Sequence, residues 1–212
     1  MVKLTLVAAV CALVAISNVE GHGRMMKPPN RSSIWRVPEF ASQNPPPNYS
    51  DNELYCGGIH QADDPGSNCG VCGDRLSQAA PRDNEINGKY YKGIITGRYT
   101  AGQVIDVEVD LTTAHRGNME WRLCTNPGQE TQACFNQHVL RLANGSGTKL
   151  PAGNTGMHRT QLQLPAGVRC NHCILQWNYR AGNNWGDCGD GTSASGCGPQ
   201  ETFRGCSDIT IS

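Results

Sequence analysis

The chain has 212 residues with 18 basic and 18 acidic side chains, a formal charge of zero, and no block of like charges. That balance argues against nucleic acid or an anionic membrane as a partner, because both select for clustered Lys and Arg. The length and the lack of an internal repeat suit one domain with a real core.

In chain order, Lys3, an apolar run from Leu4 to Ile16, and the end Val19-Glu20-Gly21 read as an export signal over 1–21, cleaved between Gly21 and His22. The apolar run falls short of the roughly 20 residues that span a bilayer. The expectation is a secreted, extracellular, monomeric protein whose working domain is 22–212. Past the signal stand ten cysteines: Cys56, Cys69, Cys72, Cys124, Cys134, Cys170, Cys173, Cys188, Cys197 and Cys206. An even number in an exported chain predicts five disulfides, with the pairing left open. Three tripeptides, at Asn30, Asn48 and Asn144, have the form of N-glycosylation acceptors.

From His22 to about Lys89 the chain is rich in Pro, Asn and Gly and shows little periodicity, which predicts a long irregular excursion held by Cys56, Cys69 and Cys72. Short helical turns are expected around Pro81 to Asn87. From Tyr90 onward, short alternating segments separated by turn residues predict strands. The clearest is Val104 to Leu111, where Ile105, Val107, Val109 and Leu111 alternate with Asp106, Glu108 and Asp110. A second sets Cys173, Leu175, Trp177 and Tyr179 against Gln176, Asn178 and Arg180, expected to face water. Tyr91 to Tyr99, Met119 to Cys124, Arg159 to Leu164 and Asp208 to Ile211 are further strands. The fold class is all-β, an antiparallel sandwich of the immunoglobulin or fibronectin-III kind with long disulfide-stapled loops. Gly182 to Gly198 reads as a loop pinned by Cys188 and Cys197.

Cleavage makes His22 the first residue, and its α-amine and ring then form a chelate for one metal ion. The amine has a pKa near 8, so a metal displaces its proton at little cost. A second imidazole, from His60, His115, His138, His158 or His172, would complete three neutral nitrogens, a set suited to copper. His115 is favoured because it follows the best-patterned strand, whereas His172, between two cysteines, reads as structural. Cys69-x-x-Cys72 and Cys170-x-x-Cys173 read as disulfides rather than zinc ligands in an exported chain. Gly186 to Gly191 lacks the spaced ligands of a calcium loop. Neither a paired-carboxylate hydrolase site nor a G-x-S-x-G elbow is present.

Five segments together resemble one family: His22-Gly23-Arg24-Met25; Arg31-Ser32-Ser33-Ile34-Trp35-Arg36; Asn48 to Gly58; Thr113-Ala114-His115-Arg116-Gly117 with Glu120-Trp121-Arg122-Leu123-Cys124; and Gln200 to Ile209. In this order they resemble the lytic polysaccharide monooxygenases of the animal type, auxiliary activity family fifteen, formerly called chitin-binding type-4 domains. The resemblance implies one copper ion on His22 and His115, with Phe203 shielding the axial side where many members carry tyrosine. It also implies an external electron donor, with hydrogen peroxide or dioxygen as co-substrate, and oxidative cleavage of insoluble chitin or cellulose. Glu201, two residues before Phe203, falls on the same strand face and is the expected carboxylate beside the site. Tyr49 and Tyr55 are the candidates for stacking on sugar rings, while Trp35, beside Ile34 and Val37, reads as core. Two rival functions share the pattern: a non-catalytic chitin- or cellulose-binding module, and a copper-sequestering secreted protein.

Overall fold

Sequence alternation becomes alternating burial in the computed structural model, which describes residues 22–60 and 69–212; the expected export segment lies outside the described residues. The strands are β1 (His22–Lys27), β2 (Ile59–His60), β3 (Gly97–Tyr99), β4 (Val104–Thr113), β5 (Asn118–Cys124), β6 (Arg141–Leu142), β7 (Leu150–Pro151), β8 (Gly156–Gln163), β9 (Cys170–Arg180), β10 (Trp185–Asp187), β11 (Ser193–Ser195) and β12 (Gln200–Ile211). One sheet has the order β1-β4-β8-β6. The other runs β2-β12-β9-β5-β7, with β3 along the end of β12. All pairings are antiparallel except β3 with β12, which is parallel over Ile209–Ile211.

The two sheets bury their facing side chains against each other. Ile105, Val107, Val109 and Leu111 of β4 and Leu162 of β8 meet Trp121 and Leu123 of β5, Leu175, Trp177 and Tyr179 of β9 and Phe203 of β12. Each large apolar side chain fully removed from water contributes about 1.5–3 kcal/mol, so this layer carries the sandwich.

Four expectations are modified. Residues 22–27 form a strand where an irregular start was expected. Its pattern is hidden because Gly23 contributes no side chain: a Cβ there would lie 2.6 Å from Leu111 and 3.1 Å from Trp177, so only glycine lets β1 lie this close to β4. The outer face of β9 is dry, with Gln176 and Asn178 buried. Gln176 Nε2 donates to the Val71 carbonyl, and the Asn178 carboxamide accepts from Arg204 Nε. The described loop segments 31–58 and 69–84, with the short helix α1 (Gln132–Phe135), form a third layer over this face. Of Tyr91 to Tyr99 only Gly97–Tyr99 joins a sheet, whereas the short turns expected around Pro81 to Asn87 are formed, with Glu85 N–H donating to the Arg82 carbonyl. Finally, the 182–198 loop contains the β10–β11 hairpin.

All ten cysteines pair, as Cys56–Cys69, Cys72–Cys206, Cys124–Cys134, Cys170–Cys173 and Cys188–Cys197. Cys72–Cys206 and Cys124–Cys134 pack with Phe135 and Ile174, fastening the loop layer to β9 and β12.

Candidate metal centre

Register brings the two candidate ligands to one end of the sandwich. His22 opens β1 opposite Thr113, the last residue of β4, so His115 stands two positions beyond the partner of His22. The register shifts between His22 and Gly23. Such an irregularity re-aims a side chain at a strand end. Opposite them, the start of β12 supplies Glu201 and Phe203. Glu201 Oε2 lies 3.5 Å from His115 Nδ1, and the Phe203 ring lies 6.4 Å from that of His22. Thus four residues from three distant segments meet at the ends of β1, β4 and β12.

The loop that carries His115 is tightly held. Its backbone N–H donates to the Tyr179 hydroxyl (2.8 Å), and that hydroxyl donates to the Arg116 carbonyl (2.8 Å). Burial pushes the Tyr179 phenol up to about 12, with the Glu201 carboxylate adding to the shift, so it remains protonated as a donor. The His115 carbonyl accepts from Gly182 N–H at 2.8 Å. Gly117, at φ +77°, turns the chain where a Cβ would collide with the Arg180 carbonyl.

The imidazole of His115 is nearly buried, and its Nδ1 faces both Glu201 and the Asn183 carboxamide, 3.0 Å away. A proton on Nδ1 is accepted by the Glu201 carboxylate, or by the Asn183 amide oxygen with that planar group turned over. The lone pair is then on Nε2, the nitrogen that remains for a metal. His22 Nε2 sits 4.0 Å from the Glu53 carboxylate, which leaves its Nδ1 as the ring nitrogen for a chelate with the α-amine. The segment bearing Glu53 is clipped to β1 because the Gly23 N–H donates to the Asn52 carbonyl at 2.9 Å. The donor set is neutral nitrogen, and Phe203, fully buried, adds none. It stacks on Tyr179 at 5.6 Å and meets Tyr55 at 6.2 Å. These residues fit a copper ion in their number, charge and softness.

His172 and His158 lie elsewhere. His172 bonds to Asp208 at 2.7 Å, and His158 faces the Asn154 carbonyl on β8. The backbone of His60 pairs with Gln200. Cys72, Glu130 and Cys206 bring their ligand atoms within 4.8 Å of one another, but the two sulfurs form a disulfide and are not thiolate ligands. Tyr49 is 79% exposed. Tyr55 is half-buried, packs against the core and has its ring 6.2 Å from that of Phe203. Trp35 is also not core: it is half-buried, its edge meets Tyr49 at 5.1 Å, and the Arg36 guanidinium lies 4.3 Å over its ring.

The sequence reading missed Asn183 and Trp185. Trp185 is 72% exposed on the β10–β11 hairpin. The hairpin is closed by Cys188–Cys197 and anchored by Gln200, whose carboxamide accepts from Asn184 N–H and donates to the Asn184 and Cys197 carbonyls. An aromatic beside a two-cysteine Gly-rich loop was the available signal. The register linking that loop to His115 was not visible.

Fold and site together define a β-sandwich protein with a candidate copper centre at its strand ends. The profile of the family described as "Lytic polysaccharide mono-oxygenase, cellulose-degrading" matches residues 22–209. A family-fifteen auxiliary-activity lytic polysaccharide monooxygenase from Thermobia domestica, solved in the Cu(I) state, is 47% identical. The match covers 90% of this chain and 98% of that one, with a TM-score of 0.81. The chain belongs to the lytic polysaccharide monooxygenase family, copper-dependent enzymes that cleave polysaccharides oxidatively. A family-ten monooxygenase from Streptomyces lividans (16% identity, 89% of this chain and 99% of that one, TM-score 0.53) shares the fold. So does a chitin-binding domain from Burkholderia pseudomallei (13%, 91% and 100%, TM-score 0.50). Curated proteins gave no match.

Proposed function

We propose that the protein is exported, loses residues 1–21, and acts outside the cell on crystalline chitin or cellulose with one copper held by His22 and His115. The observation that carries this reading is the meeting of His22, His115, Glu201 and Phe203 at one end of the sandwich. Cleavage after Gly21 frees the amine that completes the chelate. Copper, when bound, supplies the one-electron chemistry by which an external donor and hydrogen peroxide or dioxygen oxidise a sugar C–H beside a glycosidic bond.

The chain's own residues do the rest. Asn183 and Glu201 fix the ring orientation of His115, and Glu201 Oε2 holds or passes a proton at the edge of the site. Phe203, backed by Tyr179 and Tyr55, blocks the remaining side without ligating. Tyr49, in the segment that leads to Glu53, and Trp185, on the hairpin that follows Asn183, are the exposed aromatics whose segments are joined to the two histidines. Both project into solvent and stack on sugar rings of an extended surface.

The test is N-terminal sequencing and copper titration of the secreted protein, followed by mass spectrometry of products from β-chitin and cellulose given a reductant. A mature chain starting at His22 that binds one copper and releases oxidised oligosaccharides supports the reading. Another N-terminus overturns it. Copper binding without oxidised products indicates a sequestering protein, and substrate binding unchanged by His22→Ala indicates a binding module.

A further inference from the structure

The three glycosylation tripeptides are alike in sequence and unlike in structure. Asn30 is 1% exposed, and its carboxamide is enclosed against β12 so closely that a Cβ on Gly205 would collide with it. A sugar on this nitrogen has no volume to occupy in the folded protein. The Asn48 carboxamide points inward: its Nδ2 donates to Ser32 Oγ at 3.1 Å, and Ser32 is fully buried. Its Oδ1 accepts from the Ser50 N–H, and its backbone carbonyl accepts from Trp35 Nε1.

Asn144 is the opposite case. It lies in the turn after β6, and 143–146 are all exposed. Its Oδ1 accepts from both the backbone N–H (3.0 Å) and the hydroxyl (2.7 Å) of Ser146, the third residue of its own tripeptide. Nδ2 therefore points to solvent. Space around the turn is open, since a Cβ built on Gly145 or Gly147 meets nothing within 4 Å.

We infer that Asn144 is the glycan-bearing residue of the mature protein and that Asn30 and Asn48 are bare. The inference rests on reading 1–21 as an export signal, because the modification takes place on that route. The donor is a lipid-linked oligosaccharide diphosphate. Asn144 Nδ2 forms a bond to the sugar C1, the C1–O bond to the diphosphate breaks, and the amide proton leaves with the lipid diphosphate, with no change of oxidation state.

The location is compatible with work on a solid substrate. β6 is at the opposite edge of its sheet from β1, three strand spacings of about 4.8 Å away. It pairs with Leu162–Gln163, which face Val104–Ile105 at the far end of β4 from His115. With a rise of about 3.4 Å per residue, the glycan stands roughly 25 Å from the histidines. It also covers a sheet edge, where unpaired backbone groups otherwise invite association.

The test is to secrete the full chain from insect cells and map glycopeptides after enzymatic deglycosylation in heavy-oxygen water, which marks each formerly occupied Asn as Asp. Asn144 alone carries the label if the inference holds, and Asn144→Gln or Ser146→Ala each remove the mass of a single glycan while copper affinity stays within twofold. A label on Asn30 or Asn48 of the folded secreted protein, or an unlabelled Asn144, overturns it. Sequencing the N-terminus of the same sample separates the two readings: a start other than His22 with Asn144 occupied removes the copper reading alone. Failure of the chain to reach the medium overturns both.

Discussion

Two histidine–carboxylate pairs hang on the same strand, β12, and they have opposite characters. Near its end, His172 bonds to Asp208 at 2.7 Å, and Asp208 is also gripped by Arg31 through two 2.8 Å bonds. Arg31, itself 1% exposed, further donates to Glu130 at 2.6 Å and to the Asn84 carbonyl at 2.9 Å, and the Tyr91 ring lies against it at 5.1 Å. Its guanidinium is held above its ordinary pKa by Asp208 and Glu130, which outweigh the opposing burial. Here every charge meets a fixed protein partner. At the start of the strand, Glu201 Oε2 lies 3.5 Å from His115 Nδ1, and the His22 ring shares the rim. A cluster neutralised by its own side chains fastens loops. The cluster that sets two histidines at one end of the sandwich is, in the proposed reading, the one that takes an external cation.

Substitutions that exchange the behaviour of the two clusters would break this contrast. The largest effect is expected from His115→Ala: loss of copper affinity of more than about a hundredfold, beyond the 10–100-fold typical of a supporting group. The melting temperature should remain near that of the parent. Calorimetric titration and a thermal melt check both halves, and His172→Ala should give the reverse result. Next, Arg31→Met strands Asp208 and Glu130 in the interior. It should cost about 3–5 kcal/mol in urea unfolding while the surviving folded protein still takes up one copper.

A pH series sharpens the same point. Burial pushes Asp208 up, but the hydrogen bonds from Arg31 and His172 outweigh it and hold the carboxyl below its ordinary range. A depressed folded pKa gives stability that is present above the unfolded value and lost as pH falls through the folded one. The stability gap between the parent and Asp208→Asn, measured by urea unfolding, should therefore be constant near neutrality and narrow below about pH 4. Glu201→Gln keeps the shape of the rim and removes its charge. Oxidised-product release should fall roughly 10–100-fold with copper affinity changed far less. The smallest effect is that of Trp185→Ala, about tenfold weaker retention on polysaccharide, near 1.4 kcal/mol, with copper binding unchanged.

The residues themselves determined the sandwich core, because period-two alternation in β4 has one physical solution: one face buried, one wet. They also placed Glu201 and Phe203 on one face, since strand side chains repeat every two residues. The complement of ten cysteines announced five bridges. Which sulfurs meet, however, depends on loops folding back over β9 and β12, and no spacing rule encodes that. β1 was hidden because Gly23 offers no side chain to a pattern. The dryness of Gln176 and Asn178 was hidden because their partners, Val71 and Arg204, come from distant segments. Trp185 read only as part of the loop pinned by Cys188 and Cys197 until the hairpin was seen anchored through Gln200 and Asn183 beside His115. Local periodicity is written in neighbouring residues and can be read from them. The convergence of His22, His115 and Glu201 is a long-range result of sheet register, and only the tertiary structure decided it.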